Sequence, residues 1–153
     1  MLLMIRVQRE AFDAAAELRN FRESQRQGGA IVMFLGTVRE LGETGAIEAM
    51  TLEHYPEMTE KALQEIETEA NRRWPLVGSM IIHRYGRLEP GEEIVLTLTQ
   101  SAHREAAFEA CAFLVDYLKT KAPFWKLEET KDKARWVEAR ESDDAAAARW
   151  KKR

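Results

Sequence analysis

The chain offers little thiol or imidazole chemistry: one cysteine and three histidines in 153 residues. A lone cysteine cannot close an internal disulfide. Cys111 lies among apolar neighbours, where a buried structural thiol is expected. The histidines, at 54, 83 and 103, are scattered and give no metal-ligand spacing with it, so neither a metal nor another cofactor is expected. There is no P-loop, no GxGxxG and no nucleophile elbow. No apolar run approaches the roughly 20 residues of a membrane span. The opening Met-Leu-Leu-Met-Ile-Arg-Val-Gln lacks a basic n-region and a cleavage site, and reads as a first strand rather than a signal peptide. The cytoplasm is the expected compartment. Excess charge is also missing. A net charge of −3 leaves no broad basic face for nucleic acid, so any anion site has to be a local pocket.

What is present is ordinary for a soluble domain: 45% hydrophobic and 32% charged residues, in a length that supports one core. The pattern predicts a strand at Ile5–Gln8 and a helix over Ala11–Arg26, closed by Gly28-Gly29. Ala30–Phe34 is a continuous apolar run, hence a buried strand. A loop from Thr37 to Gly45 contains Arg39. Ile47–Tyr55 is a strand. Pro56 opens a helix whose apolar face is Met58, Ala62, Leu63, Ile66 and Ala70, and Trp74-Pro75 stops it. Val77–Arg84 and Glu93–Thr99 are strands around a turn at Leu88–Gly91. The third helix runs from His103 to Lys119, and Pro123 forces Ala122 into an extended shape. Phe124–Glu128 and Arg135–Glu138 form a hairpin. No repeat, linker or internal boundary is visible. The expected fold is α+β, a mostly antiparallel sheet packed with three helices, in one domain over residues 1–140 followed by a charged, alanine-rich tail over 141–153.

The third helix is apolar through its middle and carries cations at both ends. Lys119 and Lys121 suit the C-terminal end of its dipole. His103 and Arg104 sit against the dipole at the N-terminal end, a placement that an anionic ligand would offset. Phe124, Lys126 and Glu128 alternate onto one face of their strand. A lysine set among aromatics near another lysine is the kind whose proton is loosened by desolvation and like charge. Arg39 lies where a buried strand gives way to a glycine-containing loop, a common place for function. His54 and His83 fall in strand patterns and read as hydrogen-bonded structural residues. Trp74, Trp125, Trp136 and Trp150 read as core or interface anchors. A continuous helix separates His103 from Lys119 by about 24 Å at 1.5 Å per residue. The two groups therefore serve different sites, or a symmetric dimer builds each pocket from two chains.

Several motifs occur together in order: Phe34-Leu35-Gly36-Thr37-Val38-Arg39, Leu52-Glu53-His54-Tyr55, Ile82-His83-Arg84, Ser101-Ala102-His103-Arg104, the run from Asp116 to Lys126 (Asp-Tyr-Leu-Lys-Thr-Lys-Ala-Pro-Phe-Trp-Lys), and Trp136-Val137-Glu138-Ala139-Arg140. On these the chain resembles the large, catalytic subunits of molybdopterin synthase, the MoaE family, from about Ala30 to Trp150. The resemblance implies an α+β homodimer that binds a small ubiquitin-like sulfur carrier at each end, giving a heterotetramer. It also implies transfer of sulfur from the carrier's C-terminal Gly-Gly thiocarboxylate to cyclic pyranopterin monophosphate, which forms the dithiolene of molybdopterin. The substrate pocket it implies comprises Thr37, Val38, Arg39, His103, Arg104, Lys119, Lys126, Leu127 and Glu128, with Arg140 as a further anion clamp. Lys119 is the first choice for acid/base or carbonyl-aligning work, and Lys126 the second. Thr37 stands where some members carry lysine, and Leu127 where some carry arginine, so backbone contacts are expected there. The chain ends in Arg-Trp-Lys-Lys-Arg rather than Gly-Gly, so the carrier is expected to be a separate protein.

The competing reading is a non-enzymatic α+β module that binds single-stranded RNA. It rests on the cations and aromatics alternating through Lys-Thr-Lys-Ala-Pro-Phe-Trp-Lys, which suit base stacking. The acidic net charge weighs against it.

Overall fold

The computed structural model describes residues 2–42, 45–137 and 141–152. In chain order the elements are β1 (Leu2–Gln8), α1 (Ala14–Ser24), β2 (Ala30–Thr37), β3 (Leu41–Gly42), β4 (Gly45–Ala46), β5 (Ala49–His54), α2 (Pro56–Arg73), β6 (Leu76–Arg84), β7 (Gly86–Leu88), β8 (Glu93–Ser101), α3 (Arg104–Lys121), β9 (Phe124–Glu129), β10 (Ala134–Val137), α4 (Glu141–Ala148) and a final 3-10 turn, Arg149–Lys152.

Two strands buried on both faces organise the chain. β6 and β8 pair antiparallel at the centre of a four-stranded sheet ordered β1-β6-β8-β2. Their side chains alternate between two cores, as period-two geometry requires. Ile81 and Val95 face one core with Leu63, Ile66 and Ala70 of α2 and Ala110, Phe113, Leu114 and Leu118 of α3. Met80, Ile82, Leu96 and Leu98 face the other, against Ala14 and Phe21 of α1. A strand covered on both faces shows a nearly unbroken apolar run, which is why these strands are plain in the sequence. β1 joins the edge of this sheet in parallel with β6, while the other pairings are antiparallel. A second sheet, ordered β10-β9-β5-β7, is antiparallel throughout. The mixed α+β architecture is as expected.

Several boundaries differ from the sequence reading. α1 starts at Ala14 rather than Ala11, because Asp13 caps it: its Oδ1 accepts the Ala16 N–H at 3.2 Å. The buried stripe of α2 is Thr59, Leu63, Ile66, Glu67 and Ala70, and Met58 stands exposed in the first turn. β2 continues through Gly36 to Thr37, with a register shift where it meets β8. The supposed turn at Leu88–Gly91 begins later, since Gly86–Leu88 pairs with Met50–Leu52 as an edge strand. Gly91 closes the turn with φ +89°, a conformation that glycine adopts without strain.

The largest correction concerns the supposed tail. Residues 141–148 are helical, a fourth helix beyond the three expected, and Trp150 is buried at 3% exposure. Its ring meets Trp74 and Phe113 edge-on, with centroids 5.5 and 5.7 Å away. Its indole N–H donates to Asp116 Oδ2 at 2.7 Å. The charged, alanine-rich composition hid this anchor, because one large aromatic fixes the segment without any apolar periodicity.

Candidate functional site

A cavity of about 470 Å³ opens where the two sheets and the end of α3 meet. The last turn of α3 supplies its first wall, Leu118 and Lys119. The helix ends there for a local reason: Ala122 is extended, with φ −75° and ψ 131°, ahead of Pro123. The chain then turns back as β9 along β5, pairing Phe124 with His54, Lys126 with Leu52 and Glu128 with Met50. Residues directly opposite on paired strands share a face. Phe124, Lys126 and Glu128 therefore line the cavity with Met50 and Leu52. The end of β2 and the residues after it contribute Thr37, Val38 and Arg39.

Three cations thus border one space. Arg39 and Lys119 are exposed and Lys126 is half-buried. Two carboxylates accompany them. Glu128 is buried, and its Oε1 would lie 3.1 Å from any Cβ added at Gly42, so the β3–β4 hairpin packs closely over it. Asp143 of α4 also borders the cavity, a residue the sequence reading had consigned to the tail.

His83 was read from the sequence as structural, yet it too lines the cavity. It stands near the end of β6 and is 5% exposed. Its ring stacks on Phe124, with centroids 3.8 Å apart and planes 18° apart. Its Nδ1 lies 2.8 Å from the Arg84 carbonyl oxygen. A carbonyl only accepts, so Nδ1 is the donor and carries the proton. Burial pushes the imidazole pKa down from 6.5 to about 4; the Lys119 and His54 charges add to the effect, and the Arg84 hydrogen bond opposes it. His83 is therefore neutral at physiological pH. A histidine one residue from the end of the expected strand gave no sign in the sequence that it lines a cavity.

Not every expected residue converges here. His103 caps the N-terminal end of α3 and Arg104 opens it; both are exposed and neither lines the cavity. The intervening helix is unbroken, so the 24 Å separation holds within one chain, as about 1.5 Å per residue dictates. Leu127 pairs with Thr51 and Trp136 on the opposite face of β9, away from the cavity-lining alternate residues. Arg140 lies outside the described residues.

Comparison with known proteins matches this architecture to one family. Residues 7–121 fit the family model of the MoaE protein. The chain belongs to the MoaE family. The molybdopterin synthase catalytic subunit of Pseudomonas aeruginosa is 56% identical over 149 residues, covering 97% of this chain and 99% of that one. The molybdopterin biosynthesis MoaE protein of Burkholderia ambifaria superposes with a TM-score of 0.84 at 51% identity, covering 98% of this chain and 99% of that one. A more distant structure, from a complex of subunits 1 and 2 of the Helicobacter pylori molybdopterin-converting factor, shares the fold at a TM-score of 0.75 and 20% identity, covering 89% of this chain and 91% of that one.

Proposed function

We propose that this MoaE-family chain is the large, sulfur-transferring subunit of a molybdopterin synthase. Its substrate is cyclic pyranopterin monophosphate, and the sulfur comes from the C-terminal thiocarboxylate of a small ubiquitin-like carrier, yielding the dithiolene of molybdopterin. The observation that carries this reading is the convergence of Arg39, Lys119 and Lys126 on one cavity. Both reactants are anions, one a phosphate and one a thiocarboxylate, and they must be held close against their mutual repulsion. Fixed cations in a partly enclosed space do this more strongly than they would in bulk water. An arginine binds phosphate or carboxylate through two parallel N–H donors, which suits Arg39 and, by family resemblance, Arg104 and Arg140.

Lys119 is the acid/base group or the donor that aligns the tail's carbonyl, and Lys126 is its second. Each carrier gives up its sulfur and leaves with an ordinary carboxylate, so two carriers are consumed per dithiolene. Thr37 and Val38 contact substrate through the backbone. The position of Leu127, with its side chain turned to the other face, supports a backbone role there as well. Glu128 is the buried carboxylate beside the lysines.

The length of α3 supports a homodimer in which His103 and Arg104 of one copy complete the pocket around Lys119 of the other. With a carrier at each end, the assembly is a heterotetramer. No described helix is long and apolar enough to cross a membrane, and the cytoplasm is the compartment of this reading. Against the RNA-binding alternative stands the Phe124 ring, which is already stacked on His83 rather than presented to a base.

The test is incubation of the chain with a thiocarboxylated carrier and the pterin precursor, followed by mass spectrometry. Dithiolene product is expected. Recovery of unchanged precursor with an intact thiocarboxylate contradicts the reading. Deleting the carrier's last residues should weaken the complex sharply, since a buried terminal carboxylate would lose its charged hydrogen bonds. Unchanged affinity would mean that the tail does not anchor the complex.

A further inference from the structure

A cavity built to hold anions keeps a buried carboxylate, Glu128, at 4% exposure. That carboxylate makes no hydrogen bond or ion pair with any described residue, not even with the three cations that border the same space. Its oxygens are open to the cavity rather than sealed in the core. Packing fixes its place. Alternation along β9 turns it inward opposite Met50, and the β3–β4 hairpin closes over it, so that a side chain at Gly42 would meet its Oε1. A buried charge without a partner is costly, and a position that keeps one suits a ligand that brings the hydrogen-bond donors.

Its place along β9 narrows the choice of donor. Glu128 lies two residues beyond Lys126 and four beyond Phe124, about 7 and 14 Å along the strand at roughly 3.4 Å per residue. Phe124 follows directly on the end of α3, which carries Lys119. Glu128 is thus at the end of β9 remote from that lysine. A pyranopterin bears its sulfur-accepting carbons at one end of the fused rings and a 2-amino group beside an N3–H at the other. Those two N–H groups are parallel donors, spaced for the two oxygens of one carboxylate. An extended carrier tail offers its N–H groups singly, on alternating sides, and a phosphate offers none. We infer that Glu128 selects the pterin: its two oxygens accept the 2-amino and N3 hydrogens, with the reacting carbons toward Lys119. This role rests on the sulfur-transfer reading for the identity of the ligand.

Two ligands against two side chains test it. 6-Carboxypterin and 6-carboxylumazine are fluorescent and carry the same anionic group. They differ at C2, where the pterin has its amino donor and the lumazine a carbonyl oxygen. Glu128→Gln keeps the shape of the side chain and turns one of its acceptors into a donor. Quenching titrations at neutral pH should show wild-type protein binding the pterin about tenfold or more tighter than the lumazine, whose C2 oxygen would face a carboxylate oxygen. In Glu128→Gln the amide N–H can donate to that carbonyl while the amide oxygen accepts the N3 hydrogen, so the preference should vanish or reverse. A pterin preference that Glu128→Gln leaves within about twofold of wild type overturns the inference. Equal tightening of both ligands also overturns it, since that is the result expected if Glu128 only balances the neighbouring cations. So does a wild type that binds the two ligands alike or binds neither. The two readings fail separately: a wild-type protein that discriminates between the ligands but makes no dithiolene contradicts the sulfur transfer. An active wild type whose pterin preference survives in Glu128→Gln contradicts only the role of Glu128.

Discussion

Two buried titratable side chains set opposite trends in stability with pH. His83 has a folded pKa of about 4 against an ordinary 6.5. Between those values the unfolded chain binds the proton and the folded one does not, so stability is full above about pH 6.5 and falls as pH drops toward 4. At pH 4.5 the loss from this group is on the order of 2–3 kcal/mol. Urea unfolding at pH 7 and 4.5 should show that difference shrinking by roughly this amount in His83→Phe. An unchanged difference would mean that His83 is already protonated in the folded protein. Glu67 runs the other way. Burial raises its pKa, and the hydrogen bonds it accepts from Ser79 Oγ at 2.7 Å and the Met4 N–H at 3.1 Å only partly offset that. No cation pairs with it in those contacts, so its charged form costs stability above its folded pKa and the cost is relieved as pH falls through it. Glu67→Gln keeps an acceptor for both donors. The buried Oδ1 of Asn71, one turn on and without a partner among the described residues, can receive the new amide. Thermal unfolding at pH 7 should show no loss, or a small gain; a drop of more than about 1 kcal/mol would mean that the carboxylate charge is stabilising.

At the scale of elements, the strands β6 and β8 and the helix α3 were legible because burial on both faces, or on one long side, leaves runs that few other structures produce. The hairpin of β9 and β10 was legible from Pro123 and from alternation. The same alternation placed Phe124, Lys126 and Glu128 on one face before any coordinates. β7 escaped notice because three residues beside a glycine turn carry no period. The β3–β4 hairpin escaped because two-residue strands carry none either. α4 was the main loss, since Glu-Ser-Asp-Asp-Ala-Ala-Ala-Ala has no apolar stripe, and its docking depends on Trp150, beyond its end. Arg73 donates to the Trp150 carbonyl at 2.6 Å and Arg149 pairs with Asp116 at 2.8 Å, which ties the turn to both α2 and α3. Trp150→Ala should therefore destabilise the protein by about 3–5 kcal/mol in chemical denaturation, the usual cost of emptying a large aromatic site. A change within about 0.5 kcal/mol would mean that the segment is not docked in solution.

At the scale of the whole molecule, the proposed sharing of each pocket between two copies rests on one separation. His103 and Arg104 stand a full helix length from Lys119, and α3 has no break that would let them approach. Strand ends and helix termini singled out Arg39 and Lys119 as candidates, and the family resemblance grouped them with Lys126. His83 and Asp143 were not, because their place depends on how the second sheet and α4 close over the first. A two-fold dimer with shared pockets has a clear experimental signature. Mix a variant lacking both His103 and Arg104 with one lacking Lys119, under conditions of subunit exchange. Half the dimers become mixed, and each of those has one site with both defects and one with none. Activity should return to roughly a quarter of wild type. A mixture that stays inactive despite proven exchange contradicts the shared pocket.

The most direct measurement of sulfur transfer at the Lys119 cavity is a single-turnover assay of Lys119→Ala with thiocarboxylated carrier and pterin precursor, read by mass spectrometry. Lys119 is exposed at a helix end, so its truncation should leave the fold, the dimer and carrier binding in place while sulfur transfer is lost. A folded, carrier-binding Lys119→Ala protein that forms the dithiolene at near wild-type rate would contradict the assignment.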